Sequence, residues 1–231
     1  MTDRRFARHA PAARLWAASQ AQPLESFLSE LDAELWNETQ EFARAFRDRA
    51  RLRLSQANVS MGGGGAWPLL YFIVRHLRPS VVVETGVAAG WSSAAILGAL
   101  EHNENGELHS SDFPYFRLED PEPHIGLLVP PELKSRWHLY LKGDDRNLSE
   151  IARAVTHIDL VHYDSDKSYI GRRTAMERIR RLIHPGTAAV FDDIEDNFHF
   201  RDSTMEINSP HAVCEFEGKF VGIIGSFLGR S

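Results

Sequence analysis

Two short stretches of this sequence place carboxylates where a reactive site needs them. His162-Tyr163-Asp164-Ser165-Asp166-Lys167-Ser168-Tyr169 and Phe191-Asp192-Asp193-Ile194 each end an apolar, β-forming run. Carboxylates at adjacent strand ends converge on one crevice, and three clustered anions (Asp164, Asp192 and Asp193) are costly unless a cation sits among them. Oxygen-only ligands favour a hard ion, magnesium first, with manganese or calcium also compatible. Lys167 stands three residues beyond Asp164, a spacing that can aim its amine at an oxygen bound to such an ion when the chain turns at the strand end. The plain alternative is a salt bridge from Lys167 to Asp166 or another neighbour.

A third stretch has a different chemistry. Val81-Val82-Val83 runs into Glu84-Thr85-Gly86-Val87-Ala88-Ala89-Gly90-Trp91-Ser92-Ser93, after which a helix begins. At the carboxyl end of a first parallel strand, glycines let a ligand approach main-chain N–H groups at a helix N-terminus, so a cofactor crevice is expected here. Glycines used for packing alone are the competing reading. The pattern is not the dinucleotide fingerprint, because an acid precedes the first glycine and the glycines are four apart.

The elements that must position these residues are legible around them. Between residues 23 and 54, Leu24, Phe27, Leu28, Leu31, Leu35, Trp36, Phe42, Phe46 and Leu52 recur mostly at three- and four-residue steps, which predicts two amphipathic helices forming a cap. The glycine run 62–65 interrupts them, and a helix follows over 68–77, closed by Pro79. Strand-like runs at 81–84, 107–112, 138–142, 158–163 and 188–191 then alternate with helical runs at 92–102, 149–155 and 174–183, which predicts a mainly parallel sheet with helices on both faces. The runs 211–217 and 219–224, joined by a tight Glu-Gly turn, predict a closing antiparallel hairpin. Residues 113–131, with Pro114, Pro121, Pro123, Pro130 and Pro131, form an insertion too rich in proline for a helix; a substrate-facing loop and an inert surface loop both fit.

Glu84-x-Gly86-x-x-x-Gly90 resembles the first motif of class I S-adenosylmethionine-dependent methyltransferases. The resemblance covers roughly residues 66–231. It implies a single-domain α/β fold: a Rossmann-like, seven-stranded, mainly parallel sheet with a C-terminal antiparallel hairpin (66–231) and an N-terminal helical cap (1–65). It further implies S-adenosylmethionine as cofactor, held by Glu84, Gly86, Gly90 and Ser92, with Asp112 on the ribose hydroxyls, Asp144 near adenine, and Asp164 also at the cofactor. Turn or helix-cap roles are the alternative for Asp112 and Asp144. Asp-x-x-Lys followed by Asp-Asp resembles the metal-dependent O-methyltransferases, in particular bacterial enzymes of secondary metabolism and polysaccharide clusters. That resemblance makes Asp164, Asp192 and Asp193 the ligands of the divalent metal, and Lys167 with Asp164 the catalytic pair. Catechol-type enzymes carry asparagine where this chain has Asp193. The implied reaction is methyl transfer to a hydroxyl of a small molecule, whether sugar, catechol or another natural product. A hydroxylase-like relative on the same fold and a noncatalytic cofactor-binding protein are the rival readings.

Composition narrows the partners. The 231 residues are 43% hydrophobic and 25% charged, ordinary for one large core, with a net charge of −6 and a pI near 6.0. That charge argues against nucleic acid as the main partner. No segment approaches the roughly 18 apolar residues of a membrane helix, and the N-terminus lacks the apolar run of a secretory signal. The lone Cys214 excludes an internal disulfide, and a reducing cytoplasm fits. A homo-oligomer is compatible with everything above. The arginine runs 44–53 and 172–181 read as solvated helix faces. His199 reads as a surface or hydrogen-bonding histidine with the site within reach, His162 as a packed strand residue, and Tyr169 and Trp91 as core residues that border the site at most.

Overall fold

The computed structural model describes residues 10–57, 61, 63–113 and 122–229. Residues 1–9, Gly62 of the glycine run, and Pro114 and Pro121 of the insertion lie outside the described residues.

The β-forming runs become β2 (Val81–Thr85), β3 (Glu107–Ser111), β4 (Trp137–Tyr140), β5 (Ile158–Tyr163) and β6 (Ile183–Phe191), all parallel to one another. The tail forms the antiparallel pair β7 (His211–Phe216) and β8 (Lys219–Ile224), and β8 pairs antiparallel with β6. Among the described residues the sheet order is β1-β7-β8-β6-β5-β2-β3-β4, where β1 is a two-residue strand, Gln22–Pro23, lying parallel to β7. The seven strands expected are therefore joined by an eighth, too short to carry any periodicity. β6 also begins five residues before the apolar run that announced it, because Ile183 pairs with Ile158 across an irregularity, while the residues between are mostly exposed.

Helices cover both faces. The described ones are α1 (Ala10–Gln20), α2 (Leu24–Leu31), α3 (Ala33–Ala57), α4 (Trp67–Leu77), α5 (Trp91–His102), α6 (Asp144–Ala154), α7 (Tyr169–Ile179) and α8 (His199–Ile207). On one face α4 and α5 bury Leu69, Phe72, Ile96 and Leu100 against the sheet; on the other α6 and α7 bury Leu148, Ile151 and Ile179. α7 starts five residues earlier than its apolar pattern, because Ser168 caps it, its hydroxyl accepting the Gly171 N–H at 2.9 Å. The cap docks through aromatic rings: Phe42 of α3 stacks on Tyr71 of α4 at 3.9 Å, and Phe46 meets Trp67 edge-on at 5.1 Å. α1, not expected from the sequence, lies beside the hairpin, where Arg14 donates to the Gly218 carbonyl at 3.1 Å and also pairs with Glu195, after β6, at 3.3 Å. Among the described residues no helix is long and apolar enough to cross a membrane.

This topology decides where a site can form. From β2 the chain adds β3 and β4 on one side, then returns to add β5 and β6 on the other. The carboxyl ends of β2 and β5 therefore flank the switch point, where open α/β sheets leave a crevice.

Candidate active site

The turn after β2 is built for close approach. Gly86 has φ +82°, and a Cβ there would stand 2.5 Å from the carbonyl oxygen of Asp164 at the end of β5. Gly90 (φ +90°) precedes α5, and the insertion lies over this turn: Gly126 and Leu128 donate their N–H groups to the carbonyls of Ala88 and Ala89, each at 2.9 Å. The insertion thus faces the glycine turn. Asp112, at the end of β3, draws the turn inward, its Oδ2 accepting the N–H groups of Val87 and Ala88 at 2.9 and 2.8 Å. Burial raises the pKa of Asp112 more than these backbone donors lower it. Beside the turn is a cavity of about 430 Å³, lined by Gly63, Gly64, residues 86–88, Trp91, Ser92, Asp112, Phe113, Asp164 and Ser165. Its size is in the range of roughly 300–1,000 Å³ usual for small-molecule sites.

Three residues expected at the cofactor do not line the cavity: Glu84, Asp144 and Gly90, the last packed against Gly126. Glu84 is fully buried and does not line it; its carboxylate accepts the hydroxyls of Ser93 and Ser110 at 2.5 and 2.8 Å and lies 3.4 Å from His162 Nδ1. It ties β2, β3, β5 and the start of α5 together beneath the turn, a positioning role. His162 is packed as expected. Asp144 is likewise outside the lining, accepting hydroxyls from Ser111 and Ser165 and so clamping the ends of β3 and β5.

The carboxylates of Asp164, Asp192 and Asp193 do converge, with one oxygen of each within 4.8 Å of the others. Lys167 sits among them, paired with Asp164 and, at 3.2 Å, with Asp193; Lys219 of β8 holds the other oxygen of Asp193 at 2.7 Å. Asp166, the partner first considered for Lys167, instead accepts the Ser168 N–H at 2.8 Å. Burial lowers the pKa of Lys167, against the pull of Asp193 and Asp192. Asp193 is shifted the opposite way from its burial: desolvation pushes up, but Lys167 and Lys219 outweigh it and hold the carboxyl below its ordinary value. Gly65 of the glycine segment lies against Asp192, and a second cavity of about 110 Å³ borders the segment, lined by residues 63–66, Asp192, Phe216, Glu217 and residues 219–221. Gly63 and Gly64 border both cavities.

Several contributors gave little sequence signal. Arg172, from a run read as a solvated face, is fully buried; its Nη2 donates to the carbonyls of Asp192 and Asp193 at 2.9 and 2.8 Å. The solvated reading fails there because the turn bearing two aspartates needs a donor for its inward carbonyls. Asn197 joins the same turn to Lys167 by donating to the Lys167 carbonyl at 2.7 Å. His199 is not a surface residue and does not join the carboxylates: it is buried at the start of α8, its ring 5.4 Å from Tyr169 and 5.8 Å from Phe191. Trp91 both stacks on Trp67 at 5.8 Å and borders the larger cavity. A run of consecutive glycines was the one visible hint of the cavity lining at 63–65.

A mainly parallel sheet with a closing antiparallel hairpin, a glycine turn at its switch point and acids ending the neighbouring strands is a Rossmann-like methyltransferase fold. Residues 83–194 match a family described as a methyltransferase domain. No curated protein matches the sequence. The fold is shared with an O-methyltransferase from Bacillus cereus in complex with SAH (13% identity, TM-score 0.61, 78% of this chain and 90% of that one). It is also shared with a methyltransferase from Geobacter sulfurreducens (14%, 0.58, 78% and 90%). A third likeness is the O-methyltransferase TomG from Streptomyces achromogenes, involved in tomaymycin synthesis, in complex with SAM (15%, 0.56, 79% and 89%).

Proposed function

We propose that this chain transfers a methyl group from S-adenosylmethionine to a hydroxyl of a small molecule, with a divalent metal, magnesium first, held by Asp164, Asp192 and Asp193. The observation that carries the reading is the joining of two features through Asp164, which lines the larger cavity and belongs to the carboxylate cluster. The cofactor fits the larger cavity: Gly86 leaves open backbone at its floor, Ser92 lines it, and Asp112 presents an acid beside it. The metal fits a cluster of three oxygen donors, of which Asp164 and Asp193 engage Lys167. When bound, S-adenosylmethionine supplies an electrophilic methyl group, and a divalent cation supplies Lewis acidity toward the acceptor oxygen.

The chain's own residues then do the following. Lys167 takes the acceptor's proton at Nζ, and its burial shifts it toward the neutral form that this requires. Lys219 keeps Asp193 paired as Lys167 turns to the acceptor. Gly63 and Gly64 border both cavities, and Phe216 and Phe220 of the smaller one offer an apolar surface for the acceptor beside the cofactor side. Holding both reactants in contact and in line where the two cavities adjoin, at Gly63 and Gly64, would lower the entropic part of the barrier.

Incubation with methyl-labelled S-adenosylmethionine and a panel of catechols, glycosides and phenolic polyketides, before and after exhaustive chelation, tests the proposal. Transfer that stops on chelation and returns with magnesium or manganese supports it. Full turnover without metal would leave a metal-free base mechanism on Lys167, and cofactor binding with no transfer across the panel would favour a noncatalytic role.

A further inference from the structure

At the far edge of the sheet, on the amino-terminal half of β3 and away from the crevice, stands a second group of ligating side chains. Glu107 and His109 are two residues apart on β3, so they share a face of the sheet. His138 of the edge strand β4 is the register partner of His109. The two imidazoles stack at 4.5 Å, 14° from parallel, so sharing an ion, which lies in the plane of each ring that binds it, requires the exposed His138 ring to turn about its side-chain bonds. Glu107 Oε2 lies 3.0 Å from His138 Nε2 and 4.0 Å from His109 Nε2, and one donor atom from each of the three residues falls within 4.8 Å of the others.

The donor set differs in kind from that of the active site. Two imidazole nitrogens and one carboxylate suit a borderline ion, and with a water in the fourth position they make an open tetrahedral zinc set. An outer hydrogen bond is also in place: His109 Nδ1 lies 3.3 Å from the hydroxyl of Tyr140, two residues on from His138 along β4. Such a contact fixes the orientation and tautomer of a ligating imidazole and leaves Nε2 for the metal. We infer that Glu107, His109 and His138 form a zinc site, separate from the carboxylate cluster, that fastens the edge strand β4 to β3. An edge strand is paired along one side only, so a cross-strand ligand set adds most there.

The test uses the full chain stripped of metal. Zinc titration in saturating magnesium, which holds the carboxylate cluster, followed by calorimetry and thermal unfolding, is expected to show one equivalent bound with a rise in Tm. His138→Ala and Glu107→Gln, both changes at exposed positions, should weaken zinc binding at least about tenfold and abolish the rise. Asp192→Asn should leave both intact. With Cu2+ as probe, pulsed EPR should detect two imidazole nitrogens in the wild type and at most one in His138→Ala. Zinc affinity unchanged in both edge-strand variants, or a copper signal without imidazole coupling, would overturn the site.

Discussion

Gly65 lies against Asp192 so closely that a Cβ on the glycine would stand 2.3 Å from Oδ2 of the aspartate. Its φ of +54° is also one that side chains other than glycine's adopt at a cost. Gly65→Ala therefore both strains the backbone, by about 1–2 kcal/mol, and displaces a carboxylate of the cluster. The expected outcome is a loss of turnover of about tenfold or more, with a weaker metal dependence and near-normal S-adenosylmethionine affinity, read by parallel calorimetry and rate measurements. Wild-type turnover in Gly65→Ala would show that Asp192 tolerates displacement.

Arg172 holds the same turn from beneath. Arg172→Met removes the one nitrogen that donates to both carbonyls. Each of these carbonyls left unpaired is expected to cost about 1–3 kcal/mol in denaturant unfolding. Metal affinity should fall with it while cofactor affinity stays, because the cofactor cavity is not lined by this turn. A variant with lowered stability but unchanged metal affinity would make Arg172 structural only.

Lys167→Met removes the proposed base. Turnover should fall by about a hundredfold or more, while S-adenosylmethionine still binds. In the wild type the rate should rise with pH through the lowered pKa of Lys167, because the neutral amine is the active form. That rise should vanish in the variant, and its persistence would point to another base.

Acid sensitivity has a source outside the reacting groups. Burial, and then Arg172, pull His199 down to about 4. Its folded pKa lies below the unfolded value of about 6.5, so above both values it has no effect. As pH falls through that window the unfolded chain takes a proton that the folded one refuses, and stability is lost. His199→Gln should flatten the dependence of unfolding free energy on pH between about 6.5 and 4, by at most about 1.4 kcal/mol per pH unit. Identical slopes for the two proteins would mean that His199 titrates freely in the fold.

The carboxylates of the site were legible because they interrupt apolar runs at strand ends, where a parallel sheet gathers its polar residues. Glu84 was legible as part of a motif but not in its role: the same position could face a ligand or the interior, and three partners from β3, β5 and α5 turn it inward. Arg172 and His199 were misplaced because local charge patterning treats polar residues as exposed. Their burial depends on partners in α7, β6 and α8 that meet only in the folded chain.

Local sequence by itself determined the alternation of strands and helices, the glycine turn after β2, the terminal hairpin, and which acids end which strands, since period, turn chemistry and strand termination are properties of a few neighbouring residues. Tertiary structure alone decided that Gly65 lies against Asp192, that Lys219 shares Asp193 with Lys167, and that His138 meets His109 across β3 and β4. Those relationships join residues far apart in the chain, and their distances follow from strand order, register and the packing of a turn against a strand end, which no local pattern encodes.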